Sequence, residues 1–143
     1  MNPTMNVSRS AARRPAYAID VTDRGDVVIV TGTGELDLAA DPLLTMSLQQ
    51  ALSLGRSVVV DLTTAACCGS CVLTQLAAAG RRLRGTGRTL IVVTTVYAVL
   101  RPLALLHLDL LLTLVADLDA AFARLGVPLS PVVGVADATS EPA

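Results

Sequence analysis

One segment is central to the architecture of this chain: Val58-Val59-Val60-Asp61-Leu62-Thr63-Thr64-Ala65-Ala66-Cys67-Cys68-Gly69-Ser70-Cys71-Val72-Leu73, which leads from an apolar strand through a short loop into a helix. Its valines suit a strand covered on both faces, since branched side chains fit the pleat and no polar alternation is needed. From Val72 onward the apolar residues recur at helical spacing, and Gly85 supplies a stop. The sequence therefore predicts a helix that begins close to Ser70.

The hydroxyl of Ser70 is the chemically distinctive group of this stretch. A side-chain oxygen at a helix start accepts a hydrogen bond from an unpaired backbone amide, so Ser70 is a candidate helix cap. The free amides and the positive end of the helix dipole also favour a phosphate at this position. Ser70 is therefore a candidate for phosphorylation as well.

Composition limits the possible partners. The chain has 143 residues, of which 52% are hydrophobic, and this predicts one domain with an aliphatic core. Aromatic residues make up 2% of the chain and the net charge is −1, so neither stacking nor electrostatic attraction favours a nucleic acid partner.

The high mean hydropathy of +0.61 calls for a search for membrane spans. The best candidate, Thr89 to Val115, contains Arg101 and Asp109, and a charge at the bilayer centre costs about 2.5–3.5 kcal/mol. The polar, basic start of the chain also lacks the apolar run of a secretory signal. We therefore predict no direct membrane span and a cytoplasmic protein.

The N-terminal half predicts a hairpin followed by a helix. Residues 1–14 are predicted to form a disordered arm, and Tyr17 to Val21 and Val27 to Val30 predict a β-hairpin. Gly32-Thr33-Gly34 is expected to take the chain out of the sheet. Two candidate N-caps, Asp37 and Asp41, then precede a predicted helix that has Pro42 in its first turn and ends near Gly55.

The C-terminal half continues the alternation of strands and helices. It predicts a strand at Leu90 to Val93, a helix at Ala98 to Leu106, a strand at Leu110 to Val115 and a helix at Asp117 to Leu125 with Asp117 as its cap. The predicted architecture is α/β, a mixed β-sheet of four to five strands with crossover helices, formed by a single domain over residues 15–126. Residues 127–143 are predicted to be a flexible tail.

Two motifs resemble the STAS domain of bacterial anti-sigma factor antagonists, over roughly Val27 to Leu125. Gly34-Glu35-Leu36-Asp37-Leu38-Ala39, followed by Pro42, is similar to the start of the first helix in that family. Val59-Val60-Asp61-Leu62-Thr63 is similar to the strand that leads to the family's Asp-Ser-Ser-Gly-Leu signature.

Alignment with that signature places the phosphorylated serine at Ser70 and the closing leucine at Leu73. Gly69, Cys71 and Val72 differ from the family, which has Asp, a second Ser or Thr, and Gly at these positions. The resemblance implies a single STAS-type domain without catalytic residues or a cofactor.

The resemblance further implies a protein-interaction switch in sigma-factor regulation. Asp37, Gly69, Ser70 and Cys71 would contact an anti-sigma factor that is also a serine kinase. Phosphorylation of Ser70 would end that binding, and a phosphatase would restore it. A phosphoserine adds about −1.5 to −2 charges, and at Ser70 these would lie near Asp37 if the two segments converge.

The cysteines offer a different interpretation. Cys68-Gly69-Ser70-Cys71 is a Cys-x-x-Cys sequence before a helix, where a thiol-disulfide oxidoreductase carries its nucleophile. Cys68 and Cys71 are therefore redox candidates, either as a catalytic pair or as a bridge that gates Ser70. The remaining alternative is that the cysteines pack as small hydrophobic residues. One such pair with the lone His107 does not predict a metal site.

Two further features of the sequence concern the possible partners of the protein. A STAS domain can also be the regulatory or accessory subunit of a membrane transporter, which would require a membrane partner. Arg81, Arg82, Arg84 and Arg88 form a basic cluster around the end of the second helix, which we interpret as a solvated surface.

Overall fold

The computed structural model describes residues 16–127. The predicted arm, residues 1–14, and the predicted tail beyond residue 127 lie outside the described residues. The strands are β1 (Tyr17–Asp23), β2 (Val27–Leu36), β3 (Ser57–Cys68), β4 (Leu90–Val93) and β5 (Thr113–Val115). The helices are α1 (Asp41–Ser53), α2 (Ser70–Arg84), α3 (Tyr97–Leu105) and α4 (Leu118–Leu125), and short 3-10 turns span Leu38–Ala40 and Leu108–Leu110.

The five strands form one sheet in the order β1-β2-β3-β4-β5. β1 and β2 are the antiparallel hairpin, and each later strand runs parallel to its neighbour. Parallel neighbours require crossover connections, which α1, α2 and α3 supply. The predicted α/β architecture with a mixed sheet is therefore confirmed.

Both faces of the sheet are covered, because successive residues of the central strands point to opposite sides. Val58 and Val60 belong to the larger core cluster, which includes side chains of α1, α2 and α3. Val59 belongs to a smaller cluster closed by Ala121 and Phe122 of α4. The run of valines in β3 is thus explained by burial on both faces.

The expectation that the glycines end β2 is wrong. β2 continues through Gly32 and Gly34 to Leu36, and it pairs with β1 and β3 over that stretch. Gly34 has φ +83°, and a Cβ there would lie 2.2 Å from the carbonyl oxygen of Ala16. The glycine therefore permits a close approach of two paired strands instead of an exit from the sheet.

β3 also extends further than predicted. It continues to Cys68 with irregular pairing to β2, so a single residue, Gly69, replaces the predicted loop before α2. The predicted strand at Leu110 to Val115 is shorter, Thr113–Val115, because the chain first forms a 3-10 turn in which Leu110 is 80% exposed.

The helix boundaries agree more closely with the sequence. Asp117 caps α4 as predicted, and its carboxylate accepts a hydrogen bond of 2.7 Å from the N–H of Ala120. Asp41 does not cap α1; it is the first helical residue, and Ala40 holds the cap position. In the part of the chain that the structure describes, no helix is both long and apolar enough to cross a bilayer.

Candidate functional site

The candidate site lies where β2 and β3 end side by side. Leu36 pairs with Cys68, and the N–H of Gly69 donates a hydrogen bond of 2.7 Å to the carbonyl oxygen of Leu36. A Cβ on Gly69 would lie 3.4 Å from the Cα of Asp37. The segments that carry Asp37 and Ser70 therefore leave the sheet in direct contact with each other.

Ser70 is the first residue of α2, and its side chain is exposed. Gly69 holds the cap position in an extended conformation, with φ −75° and ψ 161°, and no side chain caps this helix. The helix-cap role considered for Ser70 is therefore wrong. Its hydroxyl faces solvent at a helix start whose first amides have no side-chain acceptor.

Asp37 orders the neighbouring segment. Its carboxylate accepts a hydrogen bond of 3.1 Å from the N–H of Ala39 and so caps the 3-10 turn after β2. The hydroxyl of Tyr17 donates to the carbonyl oxygen of Ala39 at 3.1 Å, which ties this turn to β1. The turn presents Leu38 to solvent with 74% of its surface exposed.

Leu38 is a site residue that sequence reasoning missed. An exposed leucine of this size, beside the start of α2, adds apolar contact area next to a polar group. The alternation of Leu36, Asp37 and Leu38 is typical of a strand and gives no sign that Leu38 points outward from a turn.

Polar contacts join α1 to α2 in the part of α2 that follows Ser70. The amide of Gln75 donates to the Asp41 carboxylate, and the hydroxyl of Thr45 lies 3.0 Å from the amide oxygen of Gln75. These groups are partly buried, so their hydrogen bonds are less exposed to competition from water. Gln75 is a second residue whose role the sequence did not indicate.

The cysteines have different environments. Cys68 belongs to the larger core cluster with 6% of its surface exposed, and burial raises the pKa of its thiol to about 12. A nucleophilic thiol requires a shift in the opposite direction. Cys67 and Cys71 are half-buried, and all three cysteines are free thiols.

Two of the three departures from the signature are also located. Val72 lies in the core with 1% of its surface exposed, so it does not stand beside the Ser70 hydroxyl at the surface. Gly69 lies next to the segment of Asp37, because its N–H donates to the carbonyl oxygen of Leu36, and it leaves the site without a side chain at this position.

Three acidic residues lie on the segment that runs beside this helix start, from the end of β2 to the first residue of α1. Glu35 and Asp37 are exposed, Asp41 is partly exposed, and the first turn of α2 carries no basic side chain. New negative charge at Ser70 would thus meet the favourable helix dipole and also like charges close by.

The fold and the site together define an α/β domain with one exposed hydroxyl at the head of a helix, beside the ends of two parallel strands. The chain belongs to the STAS domain family, whose model matches residues 18–121. No curated protein matches the sequence.

Solved structures give the same fold. An anti-sigma factor antagonist from Mycobacterium paratuberculosis is 29% identical, with a TM-score of 0.71 over 76% of this chain and 92% of that one. The anti-sigma factor antagonist SpoIIAA in its unphosphorylated form is 15% identical, with a TM-score of 0.58 over 78% and 98% of the two chains. The phosphorylated form of SpoIIAA from Bacillus is also 15% identical, with a TM-score of 0.56 over 77% and 99%.

Proposed function

We propose that this protein is an anti-sigma factor antagonist that acts in the cytoplasm and is switched by phosphorylation of Ser70. One observation carries the proposal: the Ser70 hydroxyl is exposed at the first position of α2, next to the segment of Asp37. The relative from Mycobacterium paratuberculosis is described as an anti-sigma factor antagonist, and SpoIIAA exists in a phosphorylated form. These descriptions support the same role for this chain.

In this proposal the partner is an anti-sigma factor that is also a serine kinase, and it docks while Ser70 is neutral. Its contacts are Asp37, Leu38, Gly69, Ser70 and Cys71, which follow the ends of β2 and β3. The exposed leucine supplies apolar area, and the surrounding polar groups orient the partner.

Phosphorylation then changes the charge of the docking surface. The phosphate adds about two negative charges, and α2 itself tolerates them because its unpaired amides and dipole favour an anion. The partner must instead desolvate that charge beside Asp37, which costs free energy unless it provides a cation. Loss of binding follows, and a phosphatase that removes the group restores the docking surface.

The proposal is tested with the anti-sigma factor kinases of the source organism. Incubation with the cognate kinase and ATP should place one phosphate on Ser70, as located by mass spectrometry of peptides. Thr74→Ala is the matched control, because Thr74 carries an exposed hydroxyl one turn further along α2. Ser70→Ala should abolish labelling and Thr74→Ala should not; equal labelling of Ser70→Ala would refute the assignment.

Partner binding tests the second half of the switch. The unphosphorylated protein should bind the anti-sigma factor, and Ser70→Asp should weaken this binding by at least about tenfold, which corresponds to about 1.4 kcal/mol. Ser70→Ala should retain the affinity, since it keeps the surface neutral. An anti-sigma factor that binds Ser70→Asp and the unmodified protein equally would contradict the charge mechanism.

A further inference from the structure

A polar cavity lies at the end of the sheet where β4 and β5 begin, whereas Ser70 follows the carboxyl end of β3. Its volume is about 270 Å³. It is open to solvent and is bounded by the last turns of two helices, α2 and α4, which pack on opposite faces of the sheet. The lining residues are Gly80, Arg84, Thr89, Leu90, Leu111, Thr113, Arg124 and Leu125.

Two arginines from different helices line this one cavity. Arg84 comes from the last turn of α2 and Arg124 from the last turn of α4, and no lining residue is acidic. Within residues 16–127 the only ion pair joins Arg56 and Asp23, so neither of these guanidinium groups is neutralised there by a carboxylate. The cavity therefore combines two positive charges with none of the opposite sign.

One hydrogen bond links Arg84 to the wall of the cavity. Its guanidinium donates to the carbonyl oxygen of Leu111 at 3.3 Å, which uses one of its five N–H donors and leaves the others available. Thr89 and Thr113, just before β4 and at the start of β5, add two partly exposed hydroxyl groups to the same wall. The wall thus offers several hydrogen-bond donors around one space.

A simpler explanation accounts for part of this arrangement. Basic residues in the last turn of a helix interact favourably with the helix dipole, by about 0.3–1 kcal/mol each. That explains an arginine at the end of α2 and another at the end of α4 separately. It does not explain why the two converge on one cavity that lacks acidic residues and contains two threonines.

We propose that this cavity binds a small molecule that carries a phosphate group. Guanidinium groups bind phosphate through paired charge-assisted hydrogen bonds, and two of them from opposite sides match a tetrahedral anion. The volume of about 270 Å³ lies just below the roughly 300–1,000 Å³ range of drug-sized ligand sites. It therefore holds a phosphate and a small organic group, whose apolar part would lie against Leu111 and Leu125.

The proposal is tested by titrating the full chain with ribose 5-phosphate, inorganic phosphate and ribose at constant ionic strength, followed by ¹H–¹⁵N NMR. The two phosphates should cause saturable shifts of the backbone amides of Gly80, Thr89 and Thr113, and ribose should cause none. Because the site relies on charge, doubling the ionic strength with sodium chloride should weaken binding severalfold.

Variants distinguish specific binding in this cavity from general attraction of phosphate to basic residues at the surface. Arg84→Gln and Arg124→Gln should each weaken ribose 5-phosphate binding at least about fivefold, since each removes a charged hydrogen-bonding partner. Arg81→Gln is the matched control, because it removes the same charge from the same turn of α2 without lining the cavity. It should change the affinity less than twofold, and Ser70→Ala should leave it unaltered.

Three results would overturn the proposal. They are shifts that do not saturate, equal weakening by Arg81→Gln and Arg84→Gln, or ribose shifts as large as those of ribose 5-phosphate. Since the site is remote from Ser70, none of these outcomes bears on the proposed switch, and a failed kinase assay would not affect the cavity.

Discussion

Gly69 and Leu36 are joined by a hydrogen bond of 2.7 Å from the N–H of Gly69 to the carbonyl oxygen of Leu36. This bond extends the pairing of β2 and β3 beyond Cys68 to Gly69, the residue directly before α2. It places the segment of Asp37 against the start of that helix. The distance between the two candidate docking segments is therefore set by the sheet and not by a free loop.

Substitution of Gly69 by serine should stabilise the protein. Its φ of −75° suits any residue, and a Cβ would make an ordinary contact of 3.4 Å with the Cα of Asp37. A serine would also supply the side-chain cap that α2 lacks, so we expect the free energy of unfolding to rise by a few tenths of a kcal/mol.

Gly69→Ala is the matched control for this effect. It adds the same Cβ without an oxygen, so we expect the free energy of unfolding to fall by about 0.5 kcal/mol. Urea denaturation of both variants measures the difference. Equal stability of the serine and alanine variants would show that capping is not the limiting feature of this helix start.

Substitution of Gly34 by alanine should be far more costly. Gly34 has φ +83°, and an added Cβ would lie 2.2 Å from the carbonyl oxygen of Ala16, which also accepts a hydrogen bond of 2.9 Å from the N–H of Glu35. We expect a loss of about 3 kcal/mol or more in the free energy of unfolding, because the clash adds to the strain of the left-handed backbone.

Gly25→Ala separates strain from the clash. Gly25 has a similar φ of +85°, but no atom lies within 4 Å of its added Cβ. Its substitution should cost about 1–2 kcal/mol, the strain alone. If thermal denaturation shows the same loss for both variants, the close approach of the Gly34 segment to Ala16 is not a constraint.

These glycines also show where the sequence is a poor guide to the fold. Gly32-Thr33-Gly34 has the composition of a turn, but long-range pairing on both sides keeps it in the sheet. Local preference was outweighed by hydrogen bonds to strands that are distant in sequence. Leu90 to Val93, a short apolar run flanked by polar residues, is predictable from the sequence because its burial and its boundaries are both local signals.

The candidate site, like the fold, was predictable from the sequence only where local patterns specify it. The position of Ser70 at a helix start follows from the helical spacing of the apolar residues after it. The family of the chain follows from two motifs. The hydrogen bond between Gly69 and Leu36, which brings Gly69 next to Asp37, depends on the register of two strands, which no local pattern specifies. Exposure of Leu38 and the contact of Gln75 with Asp41 depend on packing in the same way.

The stability of the protein should depend on pH because of an ion pair between Asp23, at the end of β1, and Arg56. The guanidinium of Arg56 binds the carboxylate of Asp23 at 2.6 Å and so holds the pKa of Asp23 at about 2, below its usual value of 3.8. Because the folded pKa is lowered, the stabilisation is complete above about pH 4 and is lost as the pH falls toward 2.

Two variants check this assignment. In Arg56→Gln the pKa of Asp23 should rise toward 3.8, as followed by NMR titration of the carboxyl carbon, and the urea midpoint should fall less between pH 4 and 2. Asp20→Asn removes an exposed carboxylate from the same strand and should leave the pH dependence of the midpoint almost as it was. If Asp23 still titrates near 2 without Arg56, the ion pair is not the cause.

Alkylation should distinguish Cys68 from the other two cysteines. With a pKa of about 12, Cys68 is a thiolate in only about one molecule in ten thousand at pH 8, and its sulfur is buried as well. We expect iodoacetamide to modify Cys67 and Cys71 in the native protein, and to modify Cys68 at least about a hundredfold more slowly than in urea. Peptide mass spectrometry over a time course measures the three rates, and labelling in urea gives the reference for each site.

A redox gate on Ser70 would instead require Cys68 to attack or be attacked at the surface. Rapid native labelling of Cys68, or a Cys68–Cys71 disulfide formed by mild oxidant without unfolding, would show that its burial is easily reversed and that thiol chemistry reaches the head of α2.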